Sequence, residues 1–293
     1  MAATGQEVGE NTYRAQNVRD FAFCASKSWE QISGTWEDVE IRVYYGDHMD
    51  ITAGRALDTA EKSLELYSKT FGQYPYPALR IVMSGLTGGV DGMEYPGLIL
   101  VSPEIGLEEY PDLDLENPAG TDAAYTLVAL DNTVCHEIAH QWFYGIVGND
   151  QIREPWLDEG LCRYCEYLYQ KAYPPQVAED DGVYLMEDRL RDWHIRVSGE
   201  GGEAGTSYAP DTANLSWSLY DWWEQDSMGY SDIYDKGASL FHQMELQLGE
   251  DAFEDAMKDY VQHFAYGVVT TESFRAFWQG YGDFSQLFSQ YLA

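Results

Sequence analysis

HEIAHQWFYGIVGNDQIREPWLDEG, His136 to Gly160, is the stretch on which the reading of the fold turns. Its first five residues lie within a segment of helical periodicity, about residues 122 to 146, so His136 and His140 share one face, a turn apart. Two imidazoles so placed can grip a single ion, with Glu137 projecting beside them. Trp156-Leu157-Asp158-Glu159-Gly160 then opens a second helix and offers a carboxylate, after the eighteen residues 141 to 158. Two neutral imidazoles and one carboxylate leave a fourth tetrahedral position for water, as hydrolytic zinc requires, whereas structural zinc is closed by four protein ligands. Glu166, seven residues beyond Glu159, lies two turns along the same helix face. It either accepts the second ring N–H of a ligand histidine or is an exposed helix carboxylate.

Upstream, β-type runs at Phe21 to Ala25, Asp38 to Tyr45, Leu79 to Ser84 and Leu98 to Ser102 suggest one sheet. A helix from about Thr52 to Phe71 is predicted between the second and third runs, because Leu57, Ala60, Leu64, Tyr67 and Phe71 recur at three- and four-residue steps, with Gly72 ending it. The Pro- and acid-rich run Tyr110 to Gly120 reads as the crossing into a helical lobe. Helical periodicity recurs there at about 156–172, 180–197, 235–248, 250–264 and 271–279. Residues Ser198 to Asp232 show no clean period and read as an ordered loop. Its Trp217, Tyr220, Trp222 and Trp223 either rim a cleft or pack in a core.

Composition bounds the function. With 45% hydrophobic and 15% aromatic residues, the 293-residue chain has ample material for a folded core. A net charge of -33, from 17 Lys plus Arg against 50 Asp plus Glu, argues against nucleic acid and anionic lipid as partners, while an acidic cleft would attract cationic peptide termini. Cys24, Cys135, Cys162 and Cys165 do not make a disulfide framework, and the lone Cys162-x-x-Cys165 is ordinary helical spacing. The opening residues MAATGQEVGENTYR lack a basic start and an apolar stretch, and no run approaches eighteen apolar residues. The chain therefore reads as soluble, without direct membrane insertion, either cytoplasmic or the catalytic part of an exported protein.

HEIAHQW, the eighteen-residue gap and WLDEG resemble the large zinc aminopeptidase family that includes aminopeptidase N. FGQYPYPALRIV (Phe71 to Val82), GMEYPG (Gly92 to Gly97) and YDKGA (Tyr234 to Ala238) extend the resemblance over about residues 13 to 290. Thermolysin shares the fold and ligand set, but its gap is longer by one and it lacks the Gly-Met-Glu element.

The resemblance implies an α+β, thermolysin-like zincin domain: an N-terminal mixed β-sheet lobe with a helix, a mainly α-helical lobe, and an active-site cleft between them. It implies one Zn2+ per chain on His136, His140 and Glu159, with Glu137 taking a proton from water and passing it to the leaving amine. Tyr234 would be the second oxyanion donor. Gly92, Met93 and Glu94 would bind the free amino terminus, Glu94 pairing the ammonium, and Gly88, Gly89 and Gly92 would let an extended peptide add as a strand. Tyr95-Pro96 stand where many members have Asn, which reshapes the first side-chain pocket.

The family's preceding β-rich and following helical domains are not matched. Residues 1–20 read as a remnant of the former, 21–110 as the sheet-containing lobe and 111–293 as the helical zinc-binding lobe. The implied function is a zinc metallo-aminopeptidase acting on peptides with a free N-terminus. An endopeptidase or epoxide hydrolase on the same zinc site and a non-catalytic peptide-binding module are the alternatives. Glu94 argues for amine recognition, and the full ligand set for catalysis.

Overall fold

Five strands make the sheet on which the first half of the chain is built, in the computed structural model, which describes residues 1–86, 90–102, 121–175, 185–199, 214–225 and 230–292. The expected crossing at Tyr110–Gly120, together with Gly88 and Gly89, lies outside these residues. The chain divides into two compact units, Met1–Gly145 with Lys171–Val183, and Ile146–Gln170 with Tyr184–Ala293. The helix carrying HEIAH thus groups with the sheet rather than with the later helices.

In the first unit β5 (Glu30–Trp36), β6 (Val39–Tyr45), β7 (Ala78–Met83), β8 (Gly92–Tyr95) and β9 (Leu98–Val101) run in the order β5-β6-β7-β9-β8. β6, β7 and β9 are mutually parallel, while β5 and β8 pair antiparallel at the two edges. Every residue of β7 is buried, the pattern of a central strand covered on both faces. Helix α1 (Asp50–Phe71) makes the crossover from β6 to β7 that parallel pairing demands. It buries Ala53, Ala56, Ala60, Leu64, Tyr67 and Phe71 and stops at Gly72, whose φ of 107° suits only glycine. Helix α2 (Thr121–Ala139) packs against α1 and reaches β8 and β9.

Two expectations about strands need correction. Phe21 to Ala25 does not join the main sheet: only Phe23–Cys24 forms a strand, β4, paired with β1 (Ala2–Ala3), and Phe21 and Phe23 are exposed. The edge strands β5 and β8 were not anticipated, because EQISGTW is polar and mostly exposed and GMEY is short. Residues 1–20 are tied to this unit. Ala2 packs with Tyr44, Val82 and Leu98, and buried Arg80 donates to the carbonyls of Ala3 and Gly5 at 3.3 and 2.7 Å. Between β1 and β4 a short hairpin joins β2 (Gln6–Gly9) to β3 (Thr12–Arg14).

The second unit holds α3 (Trp156–Ala172) through Gln170, α4 (Met186–Ser198), α5 (Leu219–Gln225), α6 (Tyr230–Leu248), α7 (Glu250–Phe264), α8 (Thr271–Trp278) and α9 (Ser285–Tyr291). Its core is aromatic: Phe274 meets Trp156 edge-on at 5.0 Å, and Phe253 stacks on Trp278 at 5.3 Å. The stretch read as a loop contains α5 and the start of α6. Trp222 is buried while Tyr220 and Trp223 are exposed, as one face of a short helix on the core requires. Among the described residues no helix is long and apolar enough to cross a membrane, and all four cysteines are free thiols.

Candidate metal centre

Helix α2 ends sooner than its periodicity suggests, at Ala139, and His140 to Gly145 form a bonded turn. His140 N–H donates to the His136 carbonyl at 3.2 Å, and Gly145 N–H to the His140 carbonyl at 2.9 Å. The helix gives way because Trp142 and Phe143 are drawn into the core: the Trp142 indole N–H donates to the Gly72 carbonyl at 2.8 Å, and Phe143 meets Phe71 edge-on at 4.9 Å. Tyr144 takes up the reversal at φ 128°, its phenol donating to Asp20 and its carbonyl accepting from Arg19. Burial and then Asp20 push the Tyr144 phenol well above its ordinary pKa.

This turn fixes the histidine pair. His136 and His140 are 6% and 1% exposed, with their Nε2 atoms 3.2 Å apart. His140 Nδ1 lies 2.9 Å from the Phe143 carbonyl, which can only accept, so Nδ1 carries the proton and Nε2 keeps its lone pair for a metal. Zinc–nitrogen bonds of about 2.0–2.1 Å at a tetrahedral angle place two ligand nitrogens about 3.3 Å apart. The pair therefore fits zinc in both chemistry and spacing.

Beside it, Glu137 and Glu94 are each 6% exposed, and their carboxylates converge with the His140 ring so that ligand atoms lie within 4.8 Å of one another. Glu94 comes from edge strand β8 and Glu137 from α2. Their approach depends on Gly92, where an added Cβ would sit 2.1 Å from Glu137 Oε1. Gln141 was not singled out in the sequence, yet it ties the end of α2 to this edge. Its Oε1 accepts from Gly97 N–H at 2.7 Å and its Nε2 donates to the Tyr95 carbonyl at 3.2 Å. A polar residue following the second histidine was its only sequence signal.

Glu159 and Tyr234 belong to the second unit. Glu159 lies in the first turn of α3, behind an approach held by Asp158, which accepts from Asn149 at 2.9 Å and Gln151 at 2.8 Å. Tyr234 stands inside α6, which starts at Tyr230, five residues earlier than the helix expected at 235. Glu166 is 2% exposed, which overturns its reading as an exposed carboxylate, and both of its oxygens accept from Arg163 Nη1 at 3.0 and 2.8 Å. Burial works against the Arg163 charge, but Glu166 and Asp235 outweigh it and raise the guanidinium above its ordinary pKa.

Comparison with known proteins identifies the family. A family model described as the peptidase family M1 domain matches residues 55–291. Aminopeptidase M1-D of Oryza sativa subsp. japonica is 29% identical over 246 residues, covering 81% of this chain and 25% of that protein. Aminopeptidase N of Lactobacillus helveticus is 27% identical over 257 residues, covering 85% and 27%. A crystal structure of an M1 zinc metallopeptidase from Deinococcus radiodurans shares the fold at a TM-score of 0.59 and 19% identity, covering 89% of this chain and 51% of that one. The chain spans about a quarter of the length of these curated relatives. A family match that begins in α1 and runs to the last residue of α9 covers most of the described elements of both units, and the chain belongs to peptidase family M1.

Proposed function

We infer that the chain is the catalytic part of a zinc aminopeptidase that removes residues from the free N-terminus of peptides. The observation that carries this reading is the convergence of Glu94 and Glu137 beside His140. A carboxylate aimed at the substrate ammonium, next to a carboxylate that moves the proton, sets the cut one residue from the terminus. His136 and His140 would hold the ion, with Glu159 as the third ligand, a role supported by its place at the head of α3 and by the family spacing. Zinc, when bound, polarises the scissile carbonyl and makes water a nucleophile at neutral pH.

The chain's own residues do the rest. Glu137 takes the proton of the attacking water and delivers it to the leaving nitrogen. Tyr234 donates a hydrogen bond to the developing oxyanion. The substrate backbone lies along Gly92 and Met93 on the sheet edge, where among the described residues β8 has a strand partner only on its β9 side. The Phe143 carbonyl orients His140 through its second ring nitrogen, while Glu166 holds Arg163.

The test pairs a free-amine aminoacyl reporter with its acetylated twin on zinc-loaded protein. Turnover of the free amine alone, lost in Glu137→Gln with one zinc retained, is the expected result. Equal turnover of both reporters would leave a zinc hydrolase without amine recognition and remove the aminopeptidase reading.

A further inference from the structure

Helices α3 and α6 touch backbone to backbone in the second unit. A Cβ added to Gly160 would fall 2.8 Å from Gly237 Cα, and one added to Gly237 would fall 2.7 Å from Gly160 Cα. Only glycine at both positions permits this spacing. Next to the contact, Arg163 of α3 donates through Nε to Asp235 Oδ1 of α6 at 2.7 Å and through Nη1 to Glu166. The other Asp235 oxygen accepts from Arg189 Nη1 of α4 at 3.1 Å. The Asp235 side chain is 11% exposed and that of Glu166 2%.

The two features fix different degrees of freedom. The glycine contact sets the distance between the helices but leaves each free to turn about its own axis, since a glycine pair is smooth. The forked guanidinium between two carboxylates, with a second arginine on Asp235, has one geometry and stops that rotation. Apolar side chains would close such a crossing at least as stably, so a charge network built on two largely buried carboxylates points to a need for orientation. What it orients is legible in the chain: Glu159 immediately precedes Gly160, and Tyr234 immediately precedes Asp235.

We propose that Arg163 and Asp235 are positioning residues that fix the direction in which Tyr234 leaves α6 relative to Glu159 at the head of α3. The proposal rests on Tyr234 as the oxyanion donor and Glu159 as a metal ligand. A misdirected phenol would lose contact with the transition state but not with the ground-state substrate, so the effect belongs in kcat.

The experiment is a double-mutant cycle on the zinc-loaded chain: Asp235→Asn and Arg163→Lys, each alone and combined with Tyr234→Phe. The readouts are kcat, KM, zinc content and the affinity of a phosphinic dipeptide whose oxygen imitates the oxyanion. Asp235→Asn is expected to lower kcat about tenfold and weaken the phosphinate about tenfold, with KM changed less than about twofold and one zinc retained. Arg163→Lys, which keeps the charge but not the fork, should fall part of the way and serves as the second variant should Asp235→Asn not fold. In the Tyr234→Phe background either change should add less than about a twofold loss in either readout. Equal losses in both backgrounds, an unchanged kcat, or losses that follow zinc content would overturn the proposal. Normal turnover by Tyr234→Phe alone would instead remove the functional reading beneath it.

Discussion

Gly92 shows how much a single atom decides at this site. The strand brings Glu94 to the centre only because nothing projects from Gly92 into the space where Glu137 Oε1 lies, 2.1 Å from the position of a Cβ. Gly92→Ala must displace Glu137 or bend β8, and the metal ligands lie outside that collision. Turnover is therefore expected to fall on the order of a hundredfold, the cost of moving a catalytic group by about 1 Å, with zinc content intact. Steady-state kinetics beside metal analysis checks this, and near-normal kcat would show that Glu137 has room to spare. At the same scale, His140 depends on the Phe143 carbonyl for its tautomer, so the buried turn after α2 is part of the ligand's chemistry.

Between elements, Gln141 joins the end of α2 to the β8–β9 turn with two hydrogen bonds, and its side chain is fully buried. Gln141→Leu keeps the volume but strands the Gly97 N–H, which should cost about 1–3 kcal/mol. Because Glu94 sits in the strand that ends at Tyr95, KM for a free-amine substrate should rise by more than kcat falls. Urea unfolding and kinetics on the same protein test both halves. Where α3 crosses α6, Gly160→Ala forces a methyl against the Gly237 backbone, an atom that cannot swing away. The melting temperature should drop by several degrees, since a clash of about 1–3 kcal/mol is spread over a large cooperative unit. An unchanged melting temperature would mean that the helices part freely.

For the whole molecule, charge and metal are the two levers. A surplus of 50 acidic over 17 basic residues repels itself, so salt should stabilise the chain. The melting temperature is expected to climb between ~0.01 and ~1 M sodium chloride, over the range in which the Debye length shrinks from about 30 to about 3 Å. A fall would show that the ion pairs among Arg163, Glu166, Asp235 and Arg189 outweigh the general repulsion. Zinc binds the folded chain, so adding it to metal-free protein should raise stability by about 2.7 kcal/mol at a hundredfold excess over Kd. Glu159→Ala should remove most of that gain, and a full gain in this variant would exclude Glu159 as a ligand.

What the sequence determined by itself is local. Helical periodicity fixed α1, α3 and α7 to within a few residues, and it set His136 and His140 one turn apart, because backbone geometry over four residues is the same wherever the helix lies. The family resemblance singled out Glu94 and Tyr234, residues that periodicity does not mark. Tertiary structure decided what depends on distant partners. α2 stops at Ala139 because Trp142 and Phe143 find their places against Gly72 and Phe71, some seventy residues back in the chain. β5 and β8 are strands because neighbours supply their hydrogen bonds, although their own residues are polar, exposed or few. Glu94 meets Glu137, Gln141 meets Gly97 and Arg163 meets Asp235 for the same reason: a buried polar group takes the partner that packing brings to it, and chain spacing alone does not encode that choice.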